Sequence, residues 1–265
     1  MKKFYVFIFL FFSLALFLLY TKSTLAQSKT STENYQELLQ NYRSYQDAIT
    51  PFNTKKSRYL TYGTVDTQAE LLDASKNLLN VETRAITSYT SFIKSLLAEA
   101  TQILQYRDTV LYIKLDDELS SLNIAGGKVG TLSSLSEAET LSADFSDQYK
   151  KISRIGYQIK SIVEIESVKK IFANLQVEKN KLENFLNEQT GSTSQILAAK
   201  EKFSTLNQDF GRISDLISQA ETSQKKLENG DPIGLTQEIW KNLNEAKAVI
   251  GQIITGYQNI IFSLK

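Results

Sequence analysis

From Ile196 onward apolar residues return every three or four positions, at Ala199, Phe203, Leu206, Phe210, Ile213, Ile217, Ala220 and Leu227. Only Gln224 is out of character. A second run repeats the rhythm at Ile239, Leu243, Ala246, Ile250, Ile253, Tyr257, Ile260 and Leu264. Alternating steps of three and four keep one stripe facing a partner helix, as in coiled coils and long bundles. The same spacing runs through Tyr35, Leu38, Tyr42, Tyr45, Ile49, Phe52 and Tyr59. It returns from Leu141, Phe145 and Ile152 through Ile162 to Leu182 and Leu186. Between these, residues 71–93 carry two adjacent stripes, Leu71, Leu78, Ala85 and Phe92 beside Leu72, Leu79, Ile86 and Ile93. So broad an apolar face predicts a helix with more than one neighbour, placed at the centre.

Local signals set the expected helix ends. Thr30 with Glu33, Thr67 with Glu70 and Ser134 with Glu137 each have the spacing of a capping box. Pro51 should kink or restart the first helix. The second is expected from Thr67 to about Asn123, where the IAGGKVG sequence turns the chain, and the third from Ser134 to Gly191-Ser192. A fourth would follow to Glu228, then the Asn229-Gly230-Asp231-Pro232 turn and a fifth. The reading is therefore all-α: an elongated antiparallel helical bundle or coiled-coil hairpin of four to five long helices. The second and third would pair as a hairpin, each on the order of 80 Å if unbroken. Gly126 and Gly127 would sit at its apex, a two-helix tip would span roughly 105–155, and four or five helices would gather at the opposite base. Breaks near Ser120 or Gly156 stay open.

The N-terminus departs from this amphipathic pattern. Lys2 and Lys3 precede a run from Phe4 to Tyr20 that is apolar on every face, and Thr24-Leu25-Ala26 offers small residues at the positions an export peptidase reads. Residues 1–26 are read as a signal peptide cut before Gln27, or as an N-terminal membrane anchor through residues 4–20 if they are kept. At about 1.5 Å per residue the run just crosses a thin bilayer. Residues 27–265 form the helical domain, in an extracytoplasmic location, secreted or attached to the envelope.

Composition then removes chemistry. Loss of Lys2, Lys3 and Lys22 takes 30 basic residues to 27 against 29 acidic ones, a net charge near −2, which gives nucleic acid no electrostatic footprint. The chain has no histidine and no cysteine. Serine or cysteine triads, the common zinc sites, the ExxH di-metal motif, disulfides and lipidated cysteine are thereby excluded. No catalytic residue, cofactor site or metal site is assigned, and the chain is read as not an enzyme. Asp116-Asp117-Glu118 reads as a solvated face, since adjacent acids on a helix point apart. GGKVGT resembles a phosphate loop only until Leu122, which stands where that pattern requires glycine. The tyrosines of the first helix and Trp240 read as packing. The function expected is a non-catalytic envelope or surface protein that spaces, tethers or binds a partner protein, or a second copy, through helix faces. A helical membrane-inserting, pore-forming-like protein and an extracytoplasmic ligand-sensing bundle are the alternatives.

Overall fold

The computed structural model describes residues 29–104, 109–189 and 194–264. The chain divides into two units, residues 1–30 and Ser31–Lys265. The export segment, its apolar run 4–20 and the cleavage site before Gln27 lie outside the described residues. The second unit is helical, with no strand among the described residues, and no described helix is long and apolar enough to cross a membrane.

Helix α1, Ser31–Tyr62, passes through Pro51 without ending. Gly63 closes it with φ +59°, its amide donating to the Tyr59 carbonyl at 2.8 Å. This left-handed conformation is one glycine adopts at little cost. Helix α2, Val65–Leu104, starts two residues earlier than expected. Its reciprocal cap is Thr64 with Thr67: the Thr67 amide donates to Thr64 Oγ1 at 3.2 Å, and the Thr64 amide to Thr67 Oγ1 at 3.0 Å. Glu70, expected in the cap, instead accepts from Lys55 and Arg58 of α1 at 2.8 and 2.9 Å. The two helices are antiparallel along their whole length. Ser31 donates from its amide and hydroxyl to the Glu99 carboxylate at 2.9 and 2.8 Å, and the Tyr35 and Phe92 rings meet at 5.3 Å.

The long second helix expected to reach Asn123 does not form. Helix α3, Thr109–Gly126, lies back along α2, with Lys94 paired to Asp116 and Gly126 so close to Thr83 that a β-carbon there would stand 2.9 Å from its methyl group. The chain has thus reversed before α3. Gly126 and Gly127 are not the apex of a two-helix projection, because α3 packs on both α2 and the helix that follows. Exposure explains the difference: two helices alone would leave much of the broad α2 face in water, whereas doubling back buries Leu111, Leu115 and Leu122 against it.

A 3-10 turn, Val129–Thr131, leads into α4, Leu135–Glu188, which opens on the expected Ser134–Glu137 capping box and runs unbroken through Gly156. The Gly191-Ser192 stop lies outside the described residues. One helix was expected to follow; two are found, α5, Ser194–Asn207, and α6, Asp209–Lys226, separated at Gln208. Asp231 caps α7, Pro232–Ser263, accepting from the amides of Ile233 and Gly234 at 3.1 and 3.0 Å with proline in the first turn.

Two apolar cores share α4. The first joins Ile86 and Ile93 of α2, Leu115 and Leu122 of α3, and Phe145, Ile152 and Ile159 of α4. The second joins Val168, Leu175 and Leu186 of the same helix to Phe203, Ile213, Ile239 and Ile253 of α5 to α7. The expected base of four or five helices is therefore not assembled with α1 in it. Helix α1 packs along α2, and only Asn34 and Ala48 of it are fully buried. Polar bridges cross between the two regions: Glu228 accepts from Lys114 at 3.0 Å, its carbonyl accepts from Arg154 at 2.8 Å, and Lys247 meets Glu164 at 2.9 Å.

Candidate functional site

The residues with the most unusual surroundings come from the polar column between the two apolar stripes of α2, where Ser75, Glu82 and Tyr89 recur every seven positions. A seven-residue step keeps them on one side of the helix.

Tyr89 reaches α4 at Gly156. A β-carbon at Gly156 would stand 2.2 Å from the Tyr89 hydroxyl oxygen, so the missing side chain is what admits the phenol. Its ring lies 6.2 Å from that of Tyr149, and Lys160 holds its ammonium 5.6 Å from the ring centre, a cation–π contact. Tyr149, Ser153, Gly156 and Lys160 follow steps of four, three and four, one stripe of α4. Burial raises the Tyr89 hydroxyl well above the usual phenol range, with the nearby Tyr149 and Tyr157 hydroxyls adding to it and a hydrogen bond with Ser153 opposing. Burial also lowers the Lys160 ammonium.

Glu82, one heptad before Tyr89 on the same column, acts on Tyr45 of α1. Its carboxyl has no hydrogen-bond or ion-pair partner among the described residues, and burial alone pushes it up to about 7. The Tyr45 hydroxyl is raised in turn by its own burial, then by Glu82 and Tyr42. Tyr42 and Tyr45 are in ring contact at 6.5 Å, and Tyr35 and Tyr42 remain exposed. The tyrosines of the first helix, expected as core, are instead a partly exposed layer over α2.

Chemically this set offers hydroxyl donors and acceptors, π-faces, one carboxyl that titrates near neutrality and one partly desolvated ammonium.

The other segments singled out in the sequence fall elsewhere. In GGKVGT the amides of Gly127 and Lys128 donate to the Asn123 and Ala125 carbonyls at the end of α3 and that of Thr131 to the Lys128 carbonyl, so they are spent there. Asp116 is taken by Lys94 and Asp117 faces solvent. No group of three or more acidic side chains that could hold a metal occurs among the described residues. Trp240, expected to pack beside Ile239, is 46% exposed on α7. Sequence reasoning missed Glu82, Tyr89, Gly156 and Lys160. The available signal was the polar column itself, interrupting an otherwise apolar face at heptad spacing. No family model matches the chain, nor does any curated protein or solved structure.

Proposed function

We propose that this chain is an exported, non-catalytic helical protein of the cell envelope or surface that acts as a spacer, tether or protein-binding module, its helices arranged as an elongated antiparallel bundle. The observation that supports this reading is α4 itself. A continuous helix of 54 residues, roughly 80 Å long, carries one core on each half, so its whole length is braced by packing. Such a rod sets a distance, and the tyrosine layer over α2 gives it an adhesive side. Tyrosine supplies contact area and a polar tip at small entropic cost, as protein interfaces favour.

The test uses the full gene with a C-terminal tag. In intact cells the product should be open to added protease, and small-angle scattering of the purified protein should give a longest dimension of at least about 80 Å. A surface partner captured by crosslinking should be lost when Tyr42 and Tyr149 are both changed to serine and retained in an Asp117→Ala control. Protection that persists after the outer layers of the envelope are permeabilised, and is lost only on lysis of the cytoplasmic membrane, would overturn the reading of export. A partner unaffected by the tyrosine changes would remove them from the interface.

A further inference from the structure

Among the described residues, the turn between α1 and α2 is where apolar side chains are most fully given to solvent. Leu60 is 73% exposed, Tyr62 67% and Val65 82%, and all three lie within six residues around Gly63. The apex is open at Gly63, where a β-carbon would meet no atom within 4 Å. Within two helical turns behind it lie Tyr59, Arg58, Lys56 and Lys55, and across the hairpin Asp66 and Glu70. Glu70 is shared by Lys55 and Arg58, while Lys56 holds its ammonium 5.9 Å from the centre of the Phe52 ring.

We infer that this apex is a bilayer-contacting tip, with Leu60, Tyr62 and Val65 entering the interfacial layer of a phospholipid membrane while Lys55, Lys56 and Arg58 stay at headgroup depth. The order of residue types along the hairpin carries the argument. Tyr62, Val65 and Leu60 stand one to three residues from Gly63, and Tyr59 follows. The cations lie five to eight residues back, roughly 8–12 Å along the helix, with Asp66 level with Leu60 as the one acid among the outer residues. That sequence follows the polarity gradient of a membrane surface, where acyl boundary, aromatic belt and charged headgroups succeed one another over a similar depth. The apex is also convex, which suits a fluid surface that closes around it. Three cations against Asp66 and Glu70 leave one net positive charge, so anionic lipid should strengthen contact by no more than about five-fold. The inference is independent of the adhesive role tested at Tyr42 and Tyr149, since it uses neither residue.

The absence of cysteine makes a direct test simple. The full chain with Leu60→Cys carries a nitrobenzoxadiazole label, and a second preparation carries it at Leu197→Cys, exposed on α5. Each is mixed with vesicles of phosphatidylcholine, alone or with phosphatidylglycerol, containing headgroup-spin-labelled lipid. Attachment through the N-terminal apolar run would bring both labels near the vesicle, so the comparison reads the tip alone. The expected result is a blue shift and quenching several-fold greater at position 60 than at 197, present on both vesicle types and removed by Val65→Asp. Equal quenching at the two positions, or none at 60, would overturn the inference. So would a signal seen only with phosphatidylglycerol and erased by high salt, which marks adsorption by charge without insertion. Circular dichroism of the Val65→Asp protein should match that of the parent, because the side chain replaced is in solvent.

Discussion

At position 156 the absence of one side chain decides how α2 and α4 approach. Gly156→Ala would gain roughly 1 kcal/mol of helix propensity but drive a methyl group into the Tyr89 phenol, an overpacking cost of about 1–3 kcal/mol. Destabilisation is expected overall. Combining it with Tyr89→Phe should recover part of the loss, because the closest atom is the hydroxyl oxygen. A double-mutant cycle by thermal melting checks this; additive effects would mean that the two side chains do not share the space. Glu82 makes a pH prediction. Its folded-state value near 7 lies above the ordinary 4.5, so the folded protein binds the extra proton more tightly than the unfolded chain does. The stability tied to that proton is whole below about 4.5 and is lost as pH rises through 7. Glu82→Gln should therefore leave stability unchanged near pH 4 and raise it above pH 8, by about 1–2 kcal/mol after allowing for the part of the carboxyl that water still reaches. Glu70 and Glu137, lowered by hydrogen bonds from Lys55 and from Ser133, act in the opposite sense and at lower pH, so the difference between variant and parent isolates Glu82.

Among the helices, α1 differs in how it is held. It is joined to α2 by the Ser31–Glu99 clasp, the Tyr35–Phe92 contact and the pairs from Lys55 and Arg58 to Glu70, all partly open to water. With only Asn34 and Ala48 fully buried, it should open locally at far lower free energy than α4, whose buried side includes Phe145, Ile152, Ile159 and Val168. Amide hydrogen exchange should show α1 protected least among the long helices. Protection equal to that of α4 would mean that α1 belongs to the core. The contrast between these helices also marks what was legible in the sequence. Heptad stripes located the larger part of the buried side of α6 and α7, though not Leu216 or Val249, because a step of three or four specifies which side is covered whatever covers it. The Ser134 cap and the Asn229-Gly230-Asp231-Pro232 turn were visible for the same reason, being local. The reversal between α2 and α3 was not, since no residue there is a strong breaker and the gain comes from burying Leu115 and Leu122 against a distant helix. The tyrosines of α1 were misassigned because periodicity reports a side and not how deeply that side is covered. Glu82 and Lys160 had unusual surroundings only once neighbours could be placed around them.

For the Ser31–Lys265 unit as a whole, the division into two cores gives a clear experimental handle. Trp240, the sole tryptophan, is on α7 beside Ile239 and reports the second core. Ile93→Asp places a charge in the first core and should cost several kcal/mol. Helicity should then fall early in a thermal melt while the Trp240 emission holds to higher temperature. Ile250→Asp should do the reverse, and Asp117→Ala should be nearly silent. If ellipticity and tryptophan emission move together in Ile93→Asp, the shared α4 and the Glu228 bridges make the unit fully cooperative.

The seam between the cores also falls at a single place in the primary structure. The first uses residues 72 to 163, and the second begins at Ile165. Neither borrows a side chain from the other's stretch of chain. A polypeptide emerging from a ribosome or a translocation channel thus completes everything the first core requires while about a hundred residues are still to come, a wait of roughly 5–20 s at ordinary synthesis rates. The front half can close vectorially, and the exposed second half of α4 then serves as the template on which α5 to α7 condense.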